Sequence, residues 1–320
     1  MKRTLFISII ACGLLFATSN IQAKTNTQQL IQKEAQKSQK DFKQAPKEIL
    51  DGLTESSKAM QSLQEQKSDE AKKHLQNAIA NFDKALKNDP SLDIIPIDER
   101  IDTYANLSPN KEIEKAIKLV GKLVENHQLS EARATLAPLR DEMVIKTISM
   151  PIKLFPLATK DALKALDKGN NKKAIALLAE GYSTFVIEEV LIPIPLLEAQ
   201  DFMIEAALLG KEKKEEASKL LDEASDALDR ATLFGYTDKY APEYKVLHED
   251  IKTIQKELKG KNPVVKLFDE LKEKFTSLLH KNKAKHEVES YQKKEAVKAL
   301  KESGIFKNDA KSDTEKTIKK

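Results

Sequence analysis

The chain has no tryptophan and one cysteine, Cys12. Cys12 lies in an apolar N-terminal stretch, so the chain that follows contains no thiol. That excludes disulfide staples, thiolate metal ligands and a cysteine nucleophile from the body. Glycine occurs nine times and never in a phosphate-cradling loop or a nucleophile elbow. Arginine is as scarce: Arg3, Arg100, Arg133, Arg140 and Arg230 stand against 49 lysines. Aromatic residues make up 5%. Beyond the leader no apolar run approaches the ~18 residues a membrane helix needs, so the mature chain reads as soluble.

What is present favours helices: 40% apolar and 32% charged residues, rich in Ala, Leu, Lys and Glu. The apolar fraction is enough for a core, and a core of this size needs no staple. The formal net charge of +4 is unevenly placed. Residues 281–320 carry twelve lysines against seven acidic groups, which leaves residues 24–280 near −3. A body of that sign is a poor match for nucleic acid.

Residues 1–23 have the signature of a secretory leader: Lys2 and Arg3, the apolar run Leu5–Ala17, then a polar stretch ending at Ala23. Export to the periplasm follows as the expectation. The alternative is a lipoprotein anchored through Cys12, after Ile9-Ile10-Ala11. Against it stand the early position of Cys12 and the apolar GLLFA that follows.

The predicted fold class is all-α: a helical bundle of antiparallel helical hairpins with proline-broken central apolar segments. Residues 24–45 read as a polar lead-in, 46–260 as the helical domain, 261–280 as an amphipathic C-terminal helix and 281–320 as a Lys-rich mobile tail. Apolar spacing predicts helices over 46–64, 69–88, 111–126, 131–143, 157–168, 172–187, 196–209, 215–234 and 243–259. Pro90 ends one of them, and residues 91–98 read as extended. Two β-branched apolar segments interrupt the pattern. One is Val144–Pro156 with Pro151; the other is Val186–Pro195, which holds Glu188, Glu189, Pro193 and Pro195. An alanine followed four residues later by leucine recurs at helix starts: Ala71–Leu75, Ala132–Leu136, Ala174–Leu178 and Ala217–Leu221. This suggests stacked hairpins, although any Ala- and Leu-rich helical protein yields such matches.

Several stretches together resemble the YfdX family of bacterial envelope proteins: Glu131-Ala-Arg-Ala-Thr-Leu-Ala-Pro-Leu-Arg-Asp-Glu142, Thr147–Pro156, Gly169-Asn-Asn-Lys-Lys-Ala-Ile-Ala-Leu-Leu178 and Val186-Ile-Glu-Glu-Val-Leu-Ile-Pro-Ile-Pro195. Asp93–Asp98 with Pro96 is similar to that family's proline-centred linker. The resemblance spans roughly residues 46–260, with a C-terminal extension beyond. It implies an all-helical exported protein with a chaperone-like role in envelope or acid stress, and it carries no catalytic residues.

No catalytic constellation emerges from spacing. The histidines, His74, His127, His248, His280 and His286, are scattered, and none has the paired spacing of a helix-borne metal site. No cofactor and no metal are expected. Arg133 and Arg140, seven apart, are the candidate site residues, because arginine offers a fork that lysine cannot. One reading gives them a carboxylate or other anion to bind. The other, favoured, pairs them with Glu188 and Glu189, since charges in so apolar a stretch need partners. The stripe Val264, Phe268, Leu271, Phe275, Leu278 could dock on the body, pair with another subunit or lie on a membrane, and docking is favoured.

The leading functional expectation is non-enzymatic binding of envelope proteins or peptides. A structural or assembly module, working through helix faces or as a homo-oligomer, is the first alternative. An enzyme or anion-binding protein with an Arg/Glu-lined site is the second.

Overall fold

The computed structural model describes residues 21–282 and 285–287. The leader residues 1–20 with Cys12, and the tail beyond residue 287, lie outside the described residues. Among the described residues there are eleven helices and four strands. The helices are α1 (Ile21–Asp41), α2 (Lys47–Gln64), α3 (Ser68–Asn88), α4 (Asn110–Glu125), α5 (Leu129–Leu136), α6 (Phe155–Asp167), α7 (Asn171–Ser183), α8 (Ile194–Leu209), α9 (Lys214–Leu233), α10 (Pro242–Lys259) and α11 (Val265–Asn282). The strands are β1 (Ile94–Tyr104), β2 (Glu142–Pro151), β3 (Val186–Pro193) and β4 (Lys285–Glu287).

The fold is mostly helical, and the all-α expectation needs one correction. The proline-broken apolar segments are strands of a sheet with the order β1-β2-β3-β4. The Ile152 N–H donates to Asp93 O (2.8 Å) and the Ile194 N–H to Asp141 O (2.9 Å). The end of β2 therefore lies by the start of β1, and its start by the end of β3, so both pairings are antiparallel. β-branched residues at Val186, Ile187, Val190 and Ile192 pack better on a pleat than in a helix. For the same reason α7 stops at Ser183, short of the predicted Ile187. The helix predicted over 131–143 stops at Leu136, because a proline at 138 has no N–H to give and clashes with the preceding turn. Pro156 and Pro195 instead start helices, sitting in the first turn of α6 and α8, where no N–H is needed.

The chain forms two compact units and passes from one to the other along β1, β2 and β3. The body expected as one domain over 46–260 is thus shared between them. Unit 2 takes residues 42–99 and 146–189, and so holds α2, α3, α6 and α7. One of its clusters gathers Leu63, Leu75, Leu166 and Leu178; another gathers Ile49, Phe82, Met150, Ile152 and Phe155. Phe155 is its aromatic centre, edge-on to Phe82 at 5.8 Å and in contact with Phe185 at 5.1 Å. Each such buried ring or leucine contributes about 1.5–3 kcal/mol. The turn Gly169-Asn170-Asn171 opens α7 by capping: Asn170 Oδ1 accepts the Lys173 N–H at 3.0 Å.

Unit 1 takes residues 100–145 and 190–286 together with α1. Its single core runs through α8, α9, α10 and α11. The lead-in is part of it, since α1 places Ile31 and Ala35 in that core. The α11 stripe Val264, Phe268, Leu271, Phe275, Leu278 is buried there as well. Docking on the body therefore consumes the face on which a membrane reading rested. Gly235 follows α9 at φ +77°, a left-handed position that suits glycine at a helix end.

Candidate functional site

A buried polar cluster of unit 1 lies where β2 begins. Asp141 and Glu142 are 3% and 5% exposed. Arg230, on α9, closes on them. Its Nε donates to Asp141 Oδ2 (2.7 Å), Nη1 to Ser108 O (2.8 Å) and Asn110 Oδ1 (3.0 Å), and Nη2 to Asn106 O. The Asn106 N–H reaches the other oxygen of Asp141 at 3.2 Å. Tyr236 sits between the two acids: its hydroxyl accepts the Asp141 N–H (3.0 Å) and donates to Glu142 Oε2 (2.7 Å). Arg140 Nε donates to Glu142 Oε1 (2.7 Å), and its guanidinium lies 3.7 Å over the Tyr104 ring.

The electrostatics follow from burial. Desolvation pushes the Asp141 carboxyl up to about 7, outweighing the Arg230 guanidinium that pulls it down. Glu198, whose carboxylate accepts from Thr27, is also raised by burial. So is the Tyr236 phenol, again chiefly by burial.

Four of the five N–H donors of Arg230 are committed within the protein, so no fork is left for an external anion. This arrangement is a latch that ties the loop before α4 to β2 and α9. The sequence reading missed Asp141, Glu142, Arg230 and Tyr236 as a group. The signal available was the rarity of Arg230 in a lysine-rich chain.

The candidate residues fall elsewhere than expected. Arg140 takes Glu142 as its carboxylate, because residues two apart on an extended chain share a side. Glu189 pairs with Lys146 across β2 and β3 at 3.4 Å. Glu188 is half-buried on β3 and Arg133 is exposed on α5. The expected pairing of Arg133 and Arg140 with Glu188 or Glu189 is not among the ion pairs of the described residues: Arg140 and Glu189 take nearer partners.

A second cluster joins α9 to α10. Ser225 Oγ lies 2.8 Å from His248 Nδ1, and His248 Nε2 lies 3.2 Å from Asp229 Oδ1, to which Tyr244 donates. Burial lowers the His248 pKa. The residue types are those of a hydrolase, but Ser225 is mid-helix. The backbone N–H groups around it belong to α9, so none of them is left for an oxyanion.

The third feature is apolar. Among the described residues, twelve large apolar side chains are exposed, and six of them fall between residues 107 and 136: Leu107, Ile117, Leu119, Val124, Leu129 and Leu136. Helix α4 is strongly amphipathic, yet Ile113 is its one buried residue. The alanine–leucine pattern makes the anomaly plain. Leu75, Leu178 and Leu221 are fully buried, whereas Leu136 is 53% exposed.

Residues 52–191 match the family model described as YfdX protein. This stretch is a YfdX-family region. It is narrower than the resemblance over 46–260, running from α2 to β3 and leaving α1 and α8–α11 outside. No curated protein matches the chain. A solved crystal structure of YfdX from Salmonella Typhi is similar at 13% identity over 46% of this chain and 91% of that one, with a TM-score of 0.31. The exposed α4–α5 face lies wholly inside the YfdX region, and the Arg230 latch joins that region to α9.

Proposed function

We propose that this is an exported, non-enzymatic protein of the periplasm that binds apolar segments of envelope proteins or peptides, in a chaperone-like role under stress. The observation that carries this reading is the concentration of exposed large apolar side chains on α4 and α5, with Ile117 and Val124 on one side of α4 and Leu129 and Leu136 seven apart on α5. Large exposed apolar patches mark binding sites on soluble proteins, and this reading takes the exposed side chains of α4 and α5 as such a patch. The face also lacks a membrane's electrostatic requirement. Residues 110–136 carry five basic and four acidic groups, too balanced for attraction to anionic lipid. The leader supports export, and the stress setting is what the family resemblance implies.

The test is suppression of client aggregation, followed by light scattering with the mature chain, residues 24–320. The native chain is expected to protect a reduced or heated client at stoichiometric ratios. Leu129→Asp with Leu136→Asp, two substitutions at exposed positions, is expected to abolish protection while leaving the Tm within a few degrees. Protection that survives both substitutions would remove the face from the account, and no protection by the native chain would sink the function.

A further inference from the structure

Helices α4 and α5 are inserted in the connection between β1 and β2, two antiparallel neighbours in the sheet. Both ends of the insertion therefore leave from one place, and side chains pin them there. The Asn106 N–H reaches Asp141 Oδ1 (3.2 Å), and Asn106 Nδ2 donates to Pro138 O (3.1 Å), so entry and exit are tied to each other. Beyond that base little holds the insertion to unit 1. No residue between Ala105 and Met143 belongs to the unit 1 core cluster or to the side chains packed against it. Residues 114–131 include no buried residue. Ile113 and Ala132 are the buried residues of α4 and α5, and α5 packs on α4. The hydrogen bonds between α4 and α9 lie in the first turn of α4: Arg230 Nη1 to Asn110 Oδ1 (3.0 Å) and Asn110 Nδ2 to Asp226 O (3.5 Å).

Segments with few buried apolar contacts open at a lower free energy than the whole fold. We propose that residues 107–137 are a hinged arm, which opens from unit 1 and recloses as one body about its base at Asn106 and Pro138 while α8–α11 stay folded. Opening breaks the two Asn110 bonds and unseats Ile113. It disturbs no contact inside the α8–α11 core, because the arm supplies none of that core. The two helices move together, because α5 packs on α4. The exposed side chains from Leu107 to Leu136 ride on this arm. The inference goes beyond client binding and does not rest on it.

Native-state hydrogen exchange of the mature chain, residues 24–320, in a stepped series of low denaturant concentrations tests this without any client. Residues 111–137 are expected to exchange faster than α8–α11. Their exchange should also depend less on denaturant, since opening the arm exposes less surface than unfolding. Ile254→Val trims the unit 1 core in α10, where Ile254 is buried. It should speed exchange in α8–α11 about two- to tenfold and leave residues 111–137 unchanged. Ile113→Val, on the arm, should speed residues 111–137 by a similar factor of about two to ten. Equal protection and equal denaturant dependence in the arm and in α8–α11 would overturn the proposal. So would an arm that follows Ile254→Val, an arm indifferent to Ile113→Val, or α4 and α5 that open at different free energies.

Discussion

Asp141 shows how a single residue sets a local pH response. Its folded pKa, pushed up to about 7 by burial, lies above the usual carboxylate value. The native state therefore holds this proton more tightly than the unfolded chain does. Its contribution is fully present below about pH 4 and is lost as the pH rises through about 7. Asp141→Asn removes that titration, so the loss of stability between pH 4 and 7 in denaturant melts should become shallower. Arg230 opposes the same burial. Arg230→Ala leaves a buried carboxylate without its counter-charge, at a cost of about 3–5 kcal/mol near pH 8. The cost should be smaller at pH 5, where Asp141 is protonated. Arg230→Lys should not restore stability, because a lysine cannot serve Asp141, Asn106, Ser108 and Asn110 together. An equal loss at both pH values would show that charge at Asp141 is not the issue.

At the scale of elements, spacing made most helices legible. The apolar steps of α2, α3, α9, α10 and α11 placed each within a few residues of its observed ends. What spacing could not show was the sheet. Val144–Pro156 and Val186–Pro195 were visible as β-branched and proline-broken, but pairing is non-local and nothing in either segment names its neighbour. The latch was hidden for the same reason, since Asp141 and Arg230 are 89 positions apart. The exposed face was hidden differently. Its sequence is that of any amphipathic helix, and only the packing reveals that Leu129 and Leu136 are left open. Two glycines test the packing account of the helices. At Gly52 an added methyl would sit 2.7 Å from Phe82 Cδ1, in the α2–α3 contact. Gly52→Ala should therefore destabilise by about 1–3 kcal/mol despite its better helix propensity. Gly121, in α4, has nothing within 4 Å of such a methyl. Gly121→Ala should stabilise by up to about 1 kcal/mol. Thermal melts of the two variants should move in opposite directions.

For the whole molecule, the family match and the packing have different boundaries. Residues 52–191 contain nearly all the buried members of unit 2. Of unit 1's core cluster, only Ile31, Ala35, Met143 and Ile145 precede residue 192. A fragment ending at Leu191 is therefore expected to keep the unit 2 cores and to expose what remains of unit 1. It should bind a hydrophobic dye and lose helicity beyond the share of the deleted helices. A dye-silent fragment that unfolds cooperatively would mean that α8–α11 are not needed to complete the fold.

The central claim is that an open apolar face on α4 and α5 takes up clients. Hydrogen exchange of the mature chain with and without a bound apolar client peptide tests it most directly. The account predicts added protection concentrated in residues 110–136, with little change in α9 and α10. Protection elsewhere, with α4 and α5 exchanging as they do in the free protein, would contradict it.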